Sequence, residues 1–392
     1  MTRPSIEPRT ASVSPWVVRF VVLTLALSWA IASPSLAGQT AAVQLPAARG
    51  LTSGESIYRA GCAGCHGPNG EGAPQTSTGF DRPATFPDFS SCDQTTPELD
   101  VDWKATITMG GHGRGFSPIM PAFADELTST QIDAVVAHLR GFCRERGWAR
   151  GELNLPRPLR TEKAFPEDET VVTSAVAAHH APEIANEIVY EHRLGMRDQV
   201  ELSIPFAVMH DENGTAVRGV GDVGIGLKHV LFAGHRSMLS AQGEVILPTG
   251  NADKGLGSGV TVFEVFAAFG QILPAQWFLQ MQGGTEQPTS TASTPRAVFG
   301  RAALGRSFRE ESGLGRLWSP MLELVSDRDL EDGARTSVDL LPQFQVTLNR
   351  RQHIRISAGL QIPVANTAGR SKQVVCYFLW DWFDGGLLDG WK

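Results

Sequence analysis

The sequence predicts a small all-α domain at residues 51–149 followed by an all-β antiparallel barrel of about 12 strands at 169–392. Three observations carry this prediction. Apolar residues recur at helical spacing as far as residue 142, they alternate with polar ones from 169 onward, and the stretch between shows neither period.

Three helix starts are expected in the first part. Thr52-Ser53-Gly54-Glu55 has the form of a capping box, with an acceptor side chain three residues ahead of a glutamate. Thr96-Pro97-Glu98 is a second start, because proline is tolerated in a first turn, and Leu99, Trp103 and Ile107 then share one face. Thr128-Ser129-Thr130-Gln131 is a third, followed by the apolar stripe Ile132, Val135, Val136, Leu139 and Phe142. The stretch 150–168 reads as a linker: Pro156, Pro158 and Pro166 interrupt any helix, and it is rich in charge.

Beyond it the period is two. Val200, Leu202, Ile204, Phe206 and Val208 alternate with Gln199, Glu201 and Ser203. Ile354, Ile356, Ala358, Leu360, Ile362 and Val364 form a similar run with His353, Arg355, Ser357 and Gln361 between them. Further runs begin near Glu169, Ile184, Gly219, Arg236, Ser258, Pro274, Pro295, Gly315, Thr336 and Ser371, each ended by turn residues. Such alternation suits a soluble sandwich with its apolar face inward, or a membrane barrel with that face turned to lipid. The polar set Asp222, Lys228, Gln242, Glu244, Gln280, Gln282, Glu323, Gln343 and Gln345 favours the membrane barrel, since these residues fall at strand centres where a polar lumen needs them. Trp277, Trp318, Trp380 and Trp382 fall near strand ends, as in an interfacial girdle.

The N-terminus carries Arg3, Arg9 and Arg19, the apolar run Phe20 to Ala32, and Ser35-Leu36-Ala37. This is the pattern of a secretory signal peptide over residues 1–37; the rival membrane anchor would need about 20 apolar residues. The net charge of −7 shows no basic surplus, so nucleic acid is not an expected partner. Export would place five cysteines in an oxidising compartment. There Cys92 and Cys143 either form a disulfide, the favoured reading, or stay half-buried thiols, while Cys376 reads as a small apolar residue in a strand.

Cys62-Ala63-Gly64-Cys65-His66 carries the chemistry. Two thiols two residues apart can add to the two vinyl groups of a porphyrin, and the next histidine reaches the iron as its axial ligand. A thioredoxin-like pair does not require the histidine, and a zinc half-site would need a second ligand pair. Candidate ligands for the far side of the iron are Met109, His112 and Met120; Met120 is preferred because Pro118 and Pro121 stiffen the loop around it. The adjacent pair His179-His180 would point to opposite faces of a strand, and the glycines of GVGDVGIG alternate at strand period, so neither motif reads as a ligand site.

CAGCHGPNGEG at 62–72, IMPAF at 119–123 and LTSTQIDAVVAHLR at 127–140 resemble a class I monohaem cytochrome c. The resemblance covers about a quarter of the chain. It implies one haem c attached at Cys62 and Cys65 and axial ligation by His66 and Met120. GVGDVGIGLKHVL at 219–231 and EVILPTGNADKGLGSG at 244–259 are similar to transporter-like bacterial outer-membrane barrels, which usually close on a terminal aromatic residue, whereas this chain ends Gly390-Trp391-Lys392. The expected protein is a non-enzymatic electron carrier, exchanging electrons with a donor and an acceptor protein. Its haem domain would hang in the periplasm on the linker from a barrel seated in outer-membrane lipid. The alternatives are a channel or transporter with a redox-sensing cytochrome, or an enzyme with an open iron position.

Overall fold

Side-chain capping by Ser53 and Thr128 marks two of the helix starts. In a computed structural model, which describes residues 50–83, 86–145, 147–177, 183–210, 214–309, 317–349, 351 and 353–382, the helices are α1 Gly54–Gly61, α2 Ala63–His66, α3 Gln75–Thr78, α4 Cys92–Thr95, α5 Asp100–Gly113 and α6 Ser129–Arg140. The expected signal peptide, His179-His180 and the terminal Gly390-Trp391-Lys392 lie outside the described residues. Thr128 and Gln131 form the anticipated reciprocal capping box of α6. At α1 the cap is Ser53, which accepts from the Ser56 amide at 3.2 Å. Glu55 falls one residue too early to complete a box with it, and pairs instead with Arg59 at 2.8 Å.

The expected start at Thr96 is corrected. Thr96 closes α4, sending its amide and hydroxyl back to the Cys92 carbonyl at 3.0 and 2.5 Å. Helix α5 begins at Asp100, where Glu152 Oε1 accepts the free amide at 2.9 Å. A distant acceptor has replaced the local one. Ile57, Tyr58, Ile107, Phe123, Leu127 and the α6 stripe Ile132, Val135, Val136 and Leu139 form one buried cluster, with Trp103 and Phe142 packed on its edge.

The strands close a ring. The sheet has 14 strands, of which two are short pieces, Ala216–Val220 beside its third long strand and Phe308–Arg309. The other twelve are β1 Glu169–Ala177, β2 Glu183–Leu194, β3 Asp198–His210, β4 Val223–Ala233, β5 Ser237–Leu247, β6 Val262–Ile272, β7 Trp277–Pro288, β8 Ala297–Arg306, β9 Leu317–Asp329, β10 Ser337–Thr347, β11 Ile354–Ala365 and β12 Gln373–Asp381. Each is antiparallel to its sequence neighbours, and β1 pairs with β12 from Glu169↔Asp381 to Ala177↔Gln373. No long strand among the described residues is left with an open edge.

Burial along the strands is inverted relative to a soluble barrel. Gln199, Lys228, Gln242, Gln280, Glu323 and Gln345 are buried inside, whereas Leu227, Val265, Phe232, Leu322 and Val374 stand more than half exposed outside. An apolar outer surface of this kind is what lipid requires and water penalises. Trp277, Trp318 and Trp380 lie at the strand ends nearest the helical domain, and Trp382 follows β12 there, stacked on Tyr190 at 5.6 Å. Asp222 departs from the expected pattern. It precedes β4, and its carboxylate accepts from the amides of Gly250 and Ser258 and from the Ser258 hydroxyl, at 2.9, 2.6 and 2.7 Å. These bonds latch the 248–261 connection to the barrel.

The expectation that the haem domain hangs on a free linker is also corrected. Residues 151–168 enter the barrel from the helical-domain end, turn near Arg160-Thr161 at mid-depth, and return to begin β1. Leu159 and Arg160 donate their amides to Gln343 and Glu323, Glu162 donates to Gln282, and the Pro156 and Arg157 carbonyls accept from Gln280 and Tyr377. Buried backbone must find partners, and the inward amides and carboxylates supply them. Prolines that forbid a helix leave the segment extended enough to be read by side chains from nine strands, β1, β2, β3, β7, β8, β9, β10, β11 and β12, through Glu169, Glu191, Gln199, Gln280, Arg301, Glu323, Gln343, Gln361 and Tyr377.

Candidate haem site

The chain around Cys62 makes two helical turns almost end to end. Cys62 is both the last cap of α1 and the first of α2, so that the Cys65 and His66 amides donate back to the Cys62 carbonyl at 3.1 and 2.9 Å. Both thiols are unbridged, and Cys65 is exposed while Cys62 is half-buried. Burial first, and then the nearby Cys65, push the Cys62 thiol up to about 12. Gly67, at φ 75°, ends the turn in a conformation that suits glycine, and its carbonyl accepts from the buried Tyr58 hydroxyl at 2.6 Å.

His66 packs against Phe86 and Phe89, each ring 5.0 Å away. Burial lowers it to about 4, leaving the imidazole neutral with a lone pair to give. Its Nδ1 is buried with no hydrogen-bond partner among the described residues. Phe89 continues to Trp103 at 5.5 Å, and Trp103, Phe89, Cys62, Ala63 and Met120 all pack on the same core cluster.

Met120 is brought in by a kink in α5. Gly110 has φ 73°, and a Cβ there would sit 2.8 Å from the Met120 carbonyl and the Ala122 amide. The Gly111 amide donates to the Met120 carbonyl at 3.1 Å, and the Phe123 amide to the Ile107 carbonyl at 3.0 Å. Close approach of the 117–123 loop therefore needs both glycines. Met109 and His112, the other two ligand candidates, are exposed. Thus Cys62, His66 and Met120 line one apolar region, and a flat macrocycle held by two thioethers fits the chemistry of that donor set: free thiols, a neutral orphaned imidazole and a thioether.

Cys92 and Cys143 are bonded, with Cα atoms 5.0 Å apart. Near this bridge Arg140 lies 4.1 Å over the Trp103 ring, pairs with Asp100 at 2.8 Å, and donates to the Thr95 and Glu98 carbonyls. Burial alone would raise the Asp100 carboxyl, but the Arg140 hydrogen bond and charge, with Arg150, outweigh it and hold the group below its usual range. A depressed folded pKa contributes stability that is complete above the unfolded value of about 3.9 and lost as pH falls through the lower folded value. In an acid titration followed by circular dichroism, the stability gap between the parent and Asp100→Asn is therefore expected to narrow as the pH drops below about 4.

The domain is docked on the barrel mouth by arginines at the strand ends and in a connection there. Arg193 reaches the Asp93 carboxylate and carbonyl at 2.7 Å each, Arg309 reaches Asp102 at 2.7 Å, and Arg351 donates to the Gly115 carbonyl at 3.0 Å. Arg351 also lies 4.4 Å over Phe116, and Arg193 5.1 Å over Trp148. Sequence reasoning missed these contacts, since no local pattern marks which arginines at the barrel mouth face a second domain.

Residues 51–142 match the family Cytochrome c, which implies covalently bound haem c. Among curated proteins none matches the chain. The barrel is similar to that of the KdgM porin, at 4% identity and TM-score 0.39 over 55% of this chain and 99% of that one. An outer membrane channel from Pseudomonas putida F1 aligns at 16% identity and TM-score 0.42 over 58% of this chain and 100% of that one. The NanC porin aligns at 6% identity and TM-score 0.33 over 54% and 98% of the respective chains.

Proposed function

We propose that this chain is a c-type cytochrome fixed to the outer membrane by its own barrel, and that it passes single electrons between a donor and an acceptor protein in the periplasm. The observation that carries the reading is the Cys62-to-His66 turn inside the cytochrome c match, packed on one cluster with Met120. Cys62 and Cys65 would hold one haem c by thioether bonds, with His66 and Met120 as axial ligands. Haem iron cycling between its ferrous and ferric forms supplies the electron chemistry. The chain's residues supply the rest. His66 offers a neutral nitrogen, the Met120 thioether favours the reduced state, and Phe86, Phe89 and Trp103 keep water from the pocket.

Loop lengths support a periplasmic haem domain. At its end of the barrel the long strands are joined by 195–197, 234–236, 273–276, 307–316 and 348–353, and at the far end by 178–182, 211–222, 248–261, 289–296, 330–336 and 366–372, which are longer on average. Outer-membrane barrels keep short turns on the periplasmic side and longer loops outside. The channel reading is disfavoured by residues 151–168, which occupy the lumen at mid-depth through bonds to Glu323, Gln343 and Gln282. A pore filled in this way makes a poor conduit and a firm anchor.

Met120→Ala tests the ligand assignment. The parent is expected to show the weak red to near-infrared absorption of methionine-to-iron charge transfer when oxidised and to bind no CO at neutral pH when reduced. The variant is expected to lose that band, to bind CO stoichiometrically, and to have a lower midpoint potential, because thioether ligation raises it. A parent that lacks the band and binds CO readily contradicts the carrier reading and restores an enzyme with an open iron position.

A further inference from the structure

Beyond the tip of the lumen segment, under the latched 248–261 connection, lies a cavity of about 520 Å³, a size that suits a small molecule. Six carboxylates and three guanidiniums line it. Two of the carboxylates, Glu162 and Glu201, belong to the network around Arg157 and Gln199, and Asp222 is engaged by the loop. The others, Glu187, Glu244 and Glu264, have no described lysine or arginine at ion-pair distance. Arg301, on β8 two strands from Glu264, donates to the Arg160 carbonyl and lies 4.7 Å from the Phe299 ring.

Glu264 stands opposite Glu244 on β5 and opposite Glu286 on β7. Like charges directly across a sheet repel, and an acidic row of this kind gains from a cation between its members. A separate observation points the same way. Gln242 lines the cavity two residues from Glu244, is 2% exposed, and has neither its amide nitrogen nor its oxygen hydrogen-bonded among the described residues. A buried amide with both groups unmet calls for a ligand.

The cation is not a bare metal ion. Among the described residues the carboxylates that converge within 4.8 Å are Glu162, Glu191 and Glu201, and Arg157 already pairs with two of them. Glu187, Glu244 and Glu264 come from three different strands, and Ile246 and Phe266, each two residues beyond a glutamate on the same face of its strand, add apolar wall beside Glu244 and Glu264. We propose that this cavity binds an aliphatic polyammonium cation, its ammonium groups on Glu244, Glu264 and Glu187 and its methylene chain along the apolar side chains. The shape requires charges several ångströms apart joined by an apolar stem, which is what a polyamine offers.

Isothermal titration of the full-length, haem-loaded protein in detergent with spermidine tests this. Saturable binding is expected, weakened at least tenfold in Glu244→Gln and Glu264→Gln and unchanged in Glu331→Gln on the exposed 330–336 connection. The unmodified protein is expected to bind 1,8-diaminooctane and not the neutral 1,8-octanediol, a comparison that holds even where a variant fails to fold. Absence of saturable spermidine binding, equal binding of the diol, or displacement of spermidine by stoichiometric calcium would each overturn the proposal.

Discussion

Arg157→Met is expected to lower the unfolding free energy of the barrel by about 3–5 kcal/mol. Arg157 reaches Glu162, Glu169 and Glu191 at 2.8, 2.9 and 2.6 Å, and the last two carboxylates are completely buried. Methionine fills similar space and leaves those charges without their shared partner. Removing one member of a buried set costs far more than the set itself contributes, because the remaining charge stays desolvated. Lys163, 3.2 Å from Glu169, and Lys228, 3.6 Å from Glu191, soften the loss toward the lower end of the range. Urea unfolding followed by tryptophan fluorescence measures it, and Arg157→Met with Glu191→Gln should recover part of the deficit. A loss below about 1 kcal/mol would mean that the 151–168 segment is not seated in the lumen.

Replacing both Cys92 and Cys143 with alanine is expected to destabilise the haem domain by up to about 4 kcal/mol. The two residues are 51 apart in sequence, so their bond removes a large loop-closure entropy from the unfolded chain. The bridge joins the start of α4 to the segment after α6, and the Arg140 contacts to Thr95 and Glu98 lie beside it. The same unfolding experiment, read at the haem Soret band, gives the difference. Equal midpoints for parent and variant would show that the domain is held by the haem and the Arg193, Arg309 and Arg351 dock alone.

Much of this was legible in the residues. Alternation located all twelve long strands, with starts such as Glu169, Ile184 and Thr336 within a residue of those observed. It also indicated which face is polar, because period-two placement of Lys228, Gln280 and Glu323 leaves them no other side. The shift was larger at Ser258, where the chain stays latched to Asp222 and enters β6 only at Val262. What could not be read was long-range pairing. Pro156, Arg157, Pro158 and Arg160 look like a solvated tether when the barrel's inward carboxylates are not in view, and the same charges become ligands of the lumen wall once they are. In the haem site the covalent motif was explicit at Cys62-to-His66. The kink at Gly110 that carries Met120 depends on close backbone approach, which glycine allows but does not announce.

A covalent cytochrome and a membrane barrel are expected to form one folded molecule. Fractionated membranes run unboiled and boiled on denaturing gels, and stained for haem-dependent peroxidase activity, test it most directly. The stain is predicted in the outer-membrane fraction, on a single full-length band that shifts its migration on boiling and keeps its haem. Haem stain confined to the soluble fraction, or carried by a band that boiling does not move, would contradict it.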